Sequence, residues 1–415
     1  MAISQPTEGM LDNEMRRNQN NAVLAGFLGW TLDAFDFFIL TFVLSTVATD
    51  FNKTIPDMAL TLTASLVMRP VGALIFGLLA DRYGRKGPLM VSIIFYSIME
   101  ILSGLAPTYQ MFLLLRLLYG IGMGGEWGVG ASLVMESVSV KRRGFLSGLL
   151  QEGYALGFLL AAGAYYFVFP VWGWRAMFFL GGLPALITLF IRSKVKETEA
   201  WKVNRSTDWK EYGNAIKKHW KLFLYLIILM SMMNLISHGT QDLYPTFLQK
   251  QKNFSPHETA VITMISMVGA IAGGLFFGYL SDRYGRKKMM ATAVILALIL
   301  IPLWLLAGGS LWIALGAFAM QFMVQGAWGI IPAHINELSP GSLRGFFPGF
   351  AYQLGVLIAA SVPYVESKLA EKLGYATAME ITAGTVLLIG AIVILAGPEA
   401  RGIHFHKPGV ENKST

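Results

Sequence analysis

The chain has 415 residues, 54% of them hydrophobic and 14% charged, against about 25% charged in an ordinary soluble domain. Its formal net charge of +8 would suit a nucleic-acid binder, but the basic residues fall on alternate polar segments rather than in one patch, so no nucleic acid is expected as a partner. Cysteine is absent, which excludes disulfides and thiolate metal sites.

The apolar residues fall in twelve blocks: 22–49, 57–80, 88–106, 109–137, 144–169, 174–192, 220–249, 257–280, 288–307, 310–337, 343–365 and 373–397. About twenty residues at 1.5 Å per residue cross a hydrocarbon layer of ~30 Å, so each block can span a bilayer. Backbone groups in lipid must be bonded within their own segment, and the blocks lack the alternating polarity of membrane strands, so all are read as helices. The first block is too long for a signal h-region, and no cleavable signal peptide is expected. The chain reads as a polar tail (1–21), a six-helix unit (22–192), a basic linker (193–219), a second six-helix unit (220–397) and a tail (398–415). With the tails inside, 25 of the 33 Lys and Arg residues lie on inner segments and six on outer ones, which places both termini in the cytoplasm.

Charges inside membrane helices cost on the order of 2.5–3.5 kcal/mol each on insertion scales, so they face a cavity or a partner. The first block carries Asp33 and Asp36 in GWTLDAFDFFILTF, one turn apart on a shared face. The second carries Arg69. Either these form an ion pair between neighbouring helices, or they handle a proton or the substrate. In the third block, Glu100 is a partner across helices or a protonated acid. The fourth block holds Arg116, whose two-pronged donor fork matches a carboxylate. It binds an anionic substrate or serves as counter-ion to Glu126 or Asp242. Glu126 sits among glycines beside Trp127, as an ion-pair member or a titrating group. The run of glycines at 120–125 is mid-helix and reads as close helix packing, not a nucleotide loop. Glu152 and Gln151 follow in the fifth block.

The seventh block ends in NLISHGTQDLYPT (234–246). Asn234, His238 and Asp242 are spaced four apart and stack on one helical face, with Gln241 beside them. Histidine titrates near neutrality and can share a proton with an acid one turn away. Gly239 and Pro245 bracket the cluster and weaken the helix there. Two candidate ligands do not make a metal site, and none is expected.

Three stretches recur at one offset. GALIFGLLADRYGRK (72–86) returns as GGLFFGYLSDRYGRK (273–287), GEWG (125–128) as GAWG (326–329), and MESVSVKRRGFLSG (135–148) as NELSPGSLRGFFPG (336–349). The chain is therefore a duplicated six-helix unit, and six being even, both copies run the same way through the membrane. Halves of this kind hold a substrate site between them near mid-depth. The loops carrying Asp81, Arg82 and Arg85, and Asp282, Arg283 and Arg286, are short, charged and turned by a glycine, and they read as clamps between helices. Glu136 and Glu337, next to Arg143 and Arg344, read together with them as structural ion pairs at the same inner gate.

The two DRYGRK loops and RLLYGIGMGGEWG (116–128) resemble the signatures of the major facilitator superfamily over essentially the whole chain. The segment Asn234, Ser237, His238, Thr240, Gln241, Asp242 and Thr246 resembles the signature of the fungal lactate/pyruvate–proton symporters, a branch of the sialate–proton symporter family; DAFDFF looks similar too. That resemblance implies twelve helices in two parallel halves, proton coupling through His238 and Asp242, and carboxylate binding through Arg116 and Asn234, with Gln353 as a further candidate.

The expectation is a transporter in a bacterial cytoplasmic membrane, working as a monomer without a cofactor, and not an enzyme. It would carry a small monocarboxylate with a proton by alternating access. Arg116, Asn234, Gln353 and Gln241 would bind the anion. His238, Asp242, Asp33, Asp36 and Glu126 would handle the proton. Sialate or an aromatic acid is the alternative cargo, with Trp127, Trp328, Tyr352 and Phe35 as candidate pocket walls. A transporter-like sensor is the third reading, disfavoured by the short linker and tails.

Overall fold

The computed structural model describes residues 8–183, 185–186, 190–191, 194–205 and 209–405. Among these every regular element is a helix. The first half holds α1 (Glu8–Asp50), α2 (Ile55–Tyr83), α3 (Lys86–Gly104), α4 (Tyr109–Ser137), α5 (Arg143–Gln151), α6 (Gly153–Phe167) and α7 (Phe169–Leu180). Two short helices, α8 (Glu199–Asn204) and α9 (Trp209–Lys218), follow in the linker. The second half holds α10 (Trp220–Gln241), α11 (Tyr244–Lys250), α12 (Pro256–Tyr284), α13 (Arg286–Leu305), α14 (Ser310–Leu338), α15 (Phe347–Ala359), α16 (Val362–Leu373) and α17 (Tyr375–Ala396).

Ten segments among the described residues are long and apolar enough to cross a membrane. Three of them are broken spans: α5 with α6, α10 with α11, and α15 with α16. Helix α4 is as long as α2, but its glycines and charges dilute its hydropathy. The expected block 174–192 is helical to Leu180, and part of it lies outside the described residues.

The duplication is visible in how helices start and stop. Thr54 and Ser255 each accept a hydrogen bond from the backbone N–H three residues on, and Asp57 and Glu258 answer to the cap. These reciprocal caps satisfy donors that the first turn leaves open. At the other ends, Gly84 and Gly285 stop α2 and α12 at φ of 107° and 105°, which only glycine adopts without strain.

The halves meet through α5 against α12 and α14, and through α15 against α2 and α4. These crossings are close because glycines face each other. A Cβ on Gly148 would stand 2.4 Å from the Gly274 carbonyl oxygen, and one on Gly144 would stand 2.4 Å from that of Gly278.

At the inner face the clamp is double and symmetric. Asp81 accepts from the backbone N–H of Gly345 at 2.6 Å and of Phe346 at 3.0 Å. Asp282 accepts from Gly144 at 2.8 Å and Phe145 at 3.0 Å. Arg85 joins Asp81 to Glu136, and Arg286 joins Asp282 to Glu337. The gate arginines cross over: Arg143 meets Glu337 at 2.9 Å and Arg344 meets Glu136 at 3.3 Å. Each pairs with the glutamate of the opposite half. Arg82 and Arg283 do not enter this network; they lie over Trp209 and Tyr279. The linker and the C-terminal segment seal the gate. Thr198 donates to Glu136, Trp201 donates to the Asp81 carbonyl, and the Phe405 ring lies between the guanidinium groups of Arg143 (3.9 Å) and Arg344 (3.8 Å).

Candidate functional site

A cavity of about 130 Å³ lies between the halves. Asp33 of α1 and Arg69 of α2 reach it from one side, and Asn234, His238, Gln241 and Asp242 reach it from the other. The four residues from the seventh block share one helical face, as their spacing predicts. That face ends where the helix breaks. Asp242 and Leu243 lie outside both α10 and α11, and Pro245 has no N–H to offer the carbonyl of Gln241.

His238 Nδ1 and Asp242 Oδ2 are 2.9 Å apart, and their side chains are 35% and 30% exposed. That exposed surface faces the cavity, which both residues line. Polar support surrounds the pair. Gln241 donates to Gln321 at 2.7 Å, Gln325 donates to Ser237 at 3.2 Å, and Asn234 donates to its own helix at Met230. Arg69 contacts the Met123 sulfur and lies 5.4 Å from the Phe37 ring centroid, while its Nε has no hydrogen-bond partner. Asp33 is buried, and its Oδ1 has none either.

The walls are aromatic. Trp30, Phe37, Tyr154, Trp328 and Tyr352 line the cavity, and Trp127 packs behind Tyr352 with ring centroids 4.3 Å apart. Phe35, expected as a wall, turns into the core of the first half. An aromatic box with one guanidinium and a few amides suits a compact, partly apolar anion.

Several candidate residues stand elsewhere. Arg116 does not line the cavity. It is buried in the first half, bonded to Glu100 at 2.6 Å and Ser103 at 2.7 Å, with the Tyr119 ring 4.3 Å away. Neither Glu126 nor Asp242 is its partner, and the guanidinium at the cavity is Arg69. Asp36 lies by the same buried cluster, where a Cβ on Gly181 would approach both Asp36 and Glu100, and neither Asp36 oxygen has a hydrogen-bond partner. Glu126 packs against α1 at Gly29. Gln353 is buried at the seam, 3.5 Å from the Gly124 carbonyl, and is not on the cavity surface. Sequence reasoning missed Gln321 and Gln325, which carry no charge to mark them, and Glu366. The eleventh apolar block ends at 365, one residue short of that acid, whereas α16 runs on to Leu373.

No group of three or more potential metal ligands occurs among the described residues. The chain matches the profile described as Major Facilitator Superfamily over residues 26–255 and 242–412. It is 29% identical over 420 residues to a "Carboxylic acid transporter protein homolog" of Saccharomyces cerevisiae, covering 91% of this chain and 68% of that one. It is 28% identical over 387 residues to "Sialic acid transporter NanX" of Escherichia coli, covering 92% and 95%. Its fold matches a structure of the proton:xylose symporter XylE from E. coli with a TM-score of 0.72 at 18% identity, covering 94% and 98%.

Proposed function

This chain belongs to the major facilitator superfamily, and from that premise we propose that it carries an organic carboxylate together with a proton by alternating access. The observation that carries the reading is the cavity itself. One guanidinium faces it from the first half and one histidine–acid pair from the second, with the inner side sealed. A relative named for carboxylic acids and another named for sialic acid support an organic acid as cargo. They favour the broader class over lactate and pyruvate alone.

In this reading the substrate carboxylate docks on Arg69, helped by Asn234 and Gln241. This moves the anion-binding role from Arg116 to Arg69. The His238–Asp242 pair takes the proton, with Asp33 as the acid beside Arg69. Anion and proton together leave the loaded site without added charge, so the halves can rock around it. An unpaired guanidinium in a closed, low-dielectric site is costly, which opposes return of a protonated but substrate-free carrier. The ligand drives the exchange only through its different affinity for the outward and inward states.

The test is uptake by the purified chain in liposomes, with and without an inward proton gradient, of labelled lactate, pyruvate, nicotinate and N-acetylneuraminate. At least one acid should accumulate several-fold above its passive level, and only with the gradient. Uptake of none, or uptake indifferent to the gradient, overturns the proposal.

A further inference from the structure

We infer that Glu366 is a positioning residue for the His238–Asp242 pair, a third acid that governs how the pair shares its proton and ties it to the outer part of the second half. The inference deepens the reading above and rests on it for its meaning in transport. Glu366 is fully buried on α16, next to the break between α15 and α16. Thr382 of α17 donates to its Oε1 at 2.5 Å, which fixes the carboxyl, while Oε2 has no hydrogen-bond partner.

That carboxyl lies close to α10. A Cβ on Gly239 would stand 3.5 Å from Glu366 Oε1, an ordinary contact distance, with nothing between them. Gly239 follows His238 and precedes Asp242 by three residues. All three side chains are ionisable, so a charge on one bears on the others across this gap. No other charge competes nearby: on its own helix Lys368, Glu371 and Lys372 are exposed, and Glu380 on α17 is exposed.

A buried carboxyl with one oxygen held and the other free has two settings. As an anion it favours the imidazolium and a bound proton at the pair. As a neutral acid it exerts no such pull and leaves the pair to itself. Both α16 and the α10–α11 break belong to spans that bend, so movement of either changes the separation, and with it the proton affinity of the pair.

The experiment needs no substrate. The intact protein is prepared with ¹³C-labelled histidine, and the His238 resonance is assigned by its loss in His238→Gln. Its titration midpoint should shift by half a pH unit or more in Glu366→Gln and return towards the parent value in Glu366→Asp. Thr382→Val, which frees the carboxyl, should also shift it, and serves alone if Glu366→Gln is not recovered folded. A midpoint within 0.2 unit of the parent in the recovered variants overturns the inference. So does a shift in Glu366→Asp as large as in Glu366→Gln, because that marks a merely structural role. Failure of the uptake experiment would remove the transport reading and leave this outcome intact.

Discussion

At the residue scale the decisive side chains are one guanidinium and one hydrogen-bonded pair. Arg69 and Arg116 look alike in the sequence, each a lone Arg in an apolar block. They differ in their neighbours. Arg116 already has Glu100 and Ser103, so its charge is spent inside the first half. Arg69 instead lines the cavity, and its buried Nε has no hydrogen-bond partner. Truncating one partner of a buried charge pair costs about 2–5 kcal/mol, and about 1.4 kcal/mol is tenfold in affinity. Arg69→Ala should therefore weaken carboxylate uptake more than tenfold through the apparent affinity. Arg69→Lys should fall between, since an ammonium lacks the fork. By contrast, Asp242→Asn should abolish the response to a proton gradient while sparing exchange of labelled for unlabelled acid at equal pH. Measuring KM and exchange for the variants decides both. An Arg69→Ala transporter of parental KM, or an Asp242→Asn protein still driven by the gradient, would contradict these roles.

At the element scale the close crossings do the positioning. Helix α5 can approach α12 only because Gly144, Gly148, Gly274 and Gly278 present no side chains. A methyl group on Gly148 meets a carbonyl oxygen at 2.4 Å, and backbone cannot yield as a side-chain tip can. Gly148→Val should then disfavour the closed inner gate. Because the chain has no cysteine, a single Ala333→Cys reporter can read this. Ala333 is fully buried and its N–H is bonded to Ser147 of the other half. Labelling of that reporter by a water-soluble maleimide should rise several-fold when Gly148→Val is added. Unchanged labelling would mean that the crossing tolerates the extra carbons.

At the scale of the whole molecule the gate is one device built twice. Asp81 and Asp282 each receive two backbone N–H groups from the opposite half, and each is held by an arginine on its own helix pair. A hydrogen bond to a charged group is worth about 1.5–3 kcal/mol, so losing two shifts the balance of closed and open states by tenfold or more. Asp81→Ala and Asp282→Ala should raise labelling of the same reporter in the same direction and to a similar extent. An effect confined to one of them would show that the two loops are not equivalent. Phe405, stacked between Arg143 and Arg344, adds a contact that belongs to neither repeat, and through it the C-terminal segment bears on both halves at once.

The sequence by itself determined the helices, the duplication and the polar face of the seventh span. Each is written in local periodicity or in matching stretches, and in lipid the backbone leaves little alternative to helix. It also marked every charge of the inner gate, because repeats put equivalent residues at one offset. Tertiary structure alone decided which charges meet. The cross-half pairing of Arg143 with Glu337 and Arg344 with Glu136 depends on how the halves dock, which no spacing encodes. The same holds for the cavity. A helix position fixes a side chain's height and direction, but whether Arg69 or Arg116 lines the cavity depends on whether neighbouring helices bond its guanidinium, as α3 does for Arg116 through Glu100 and Ser103.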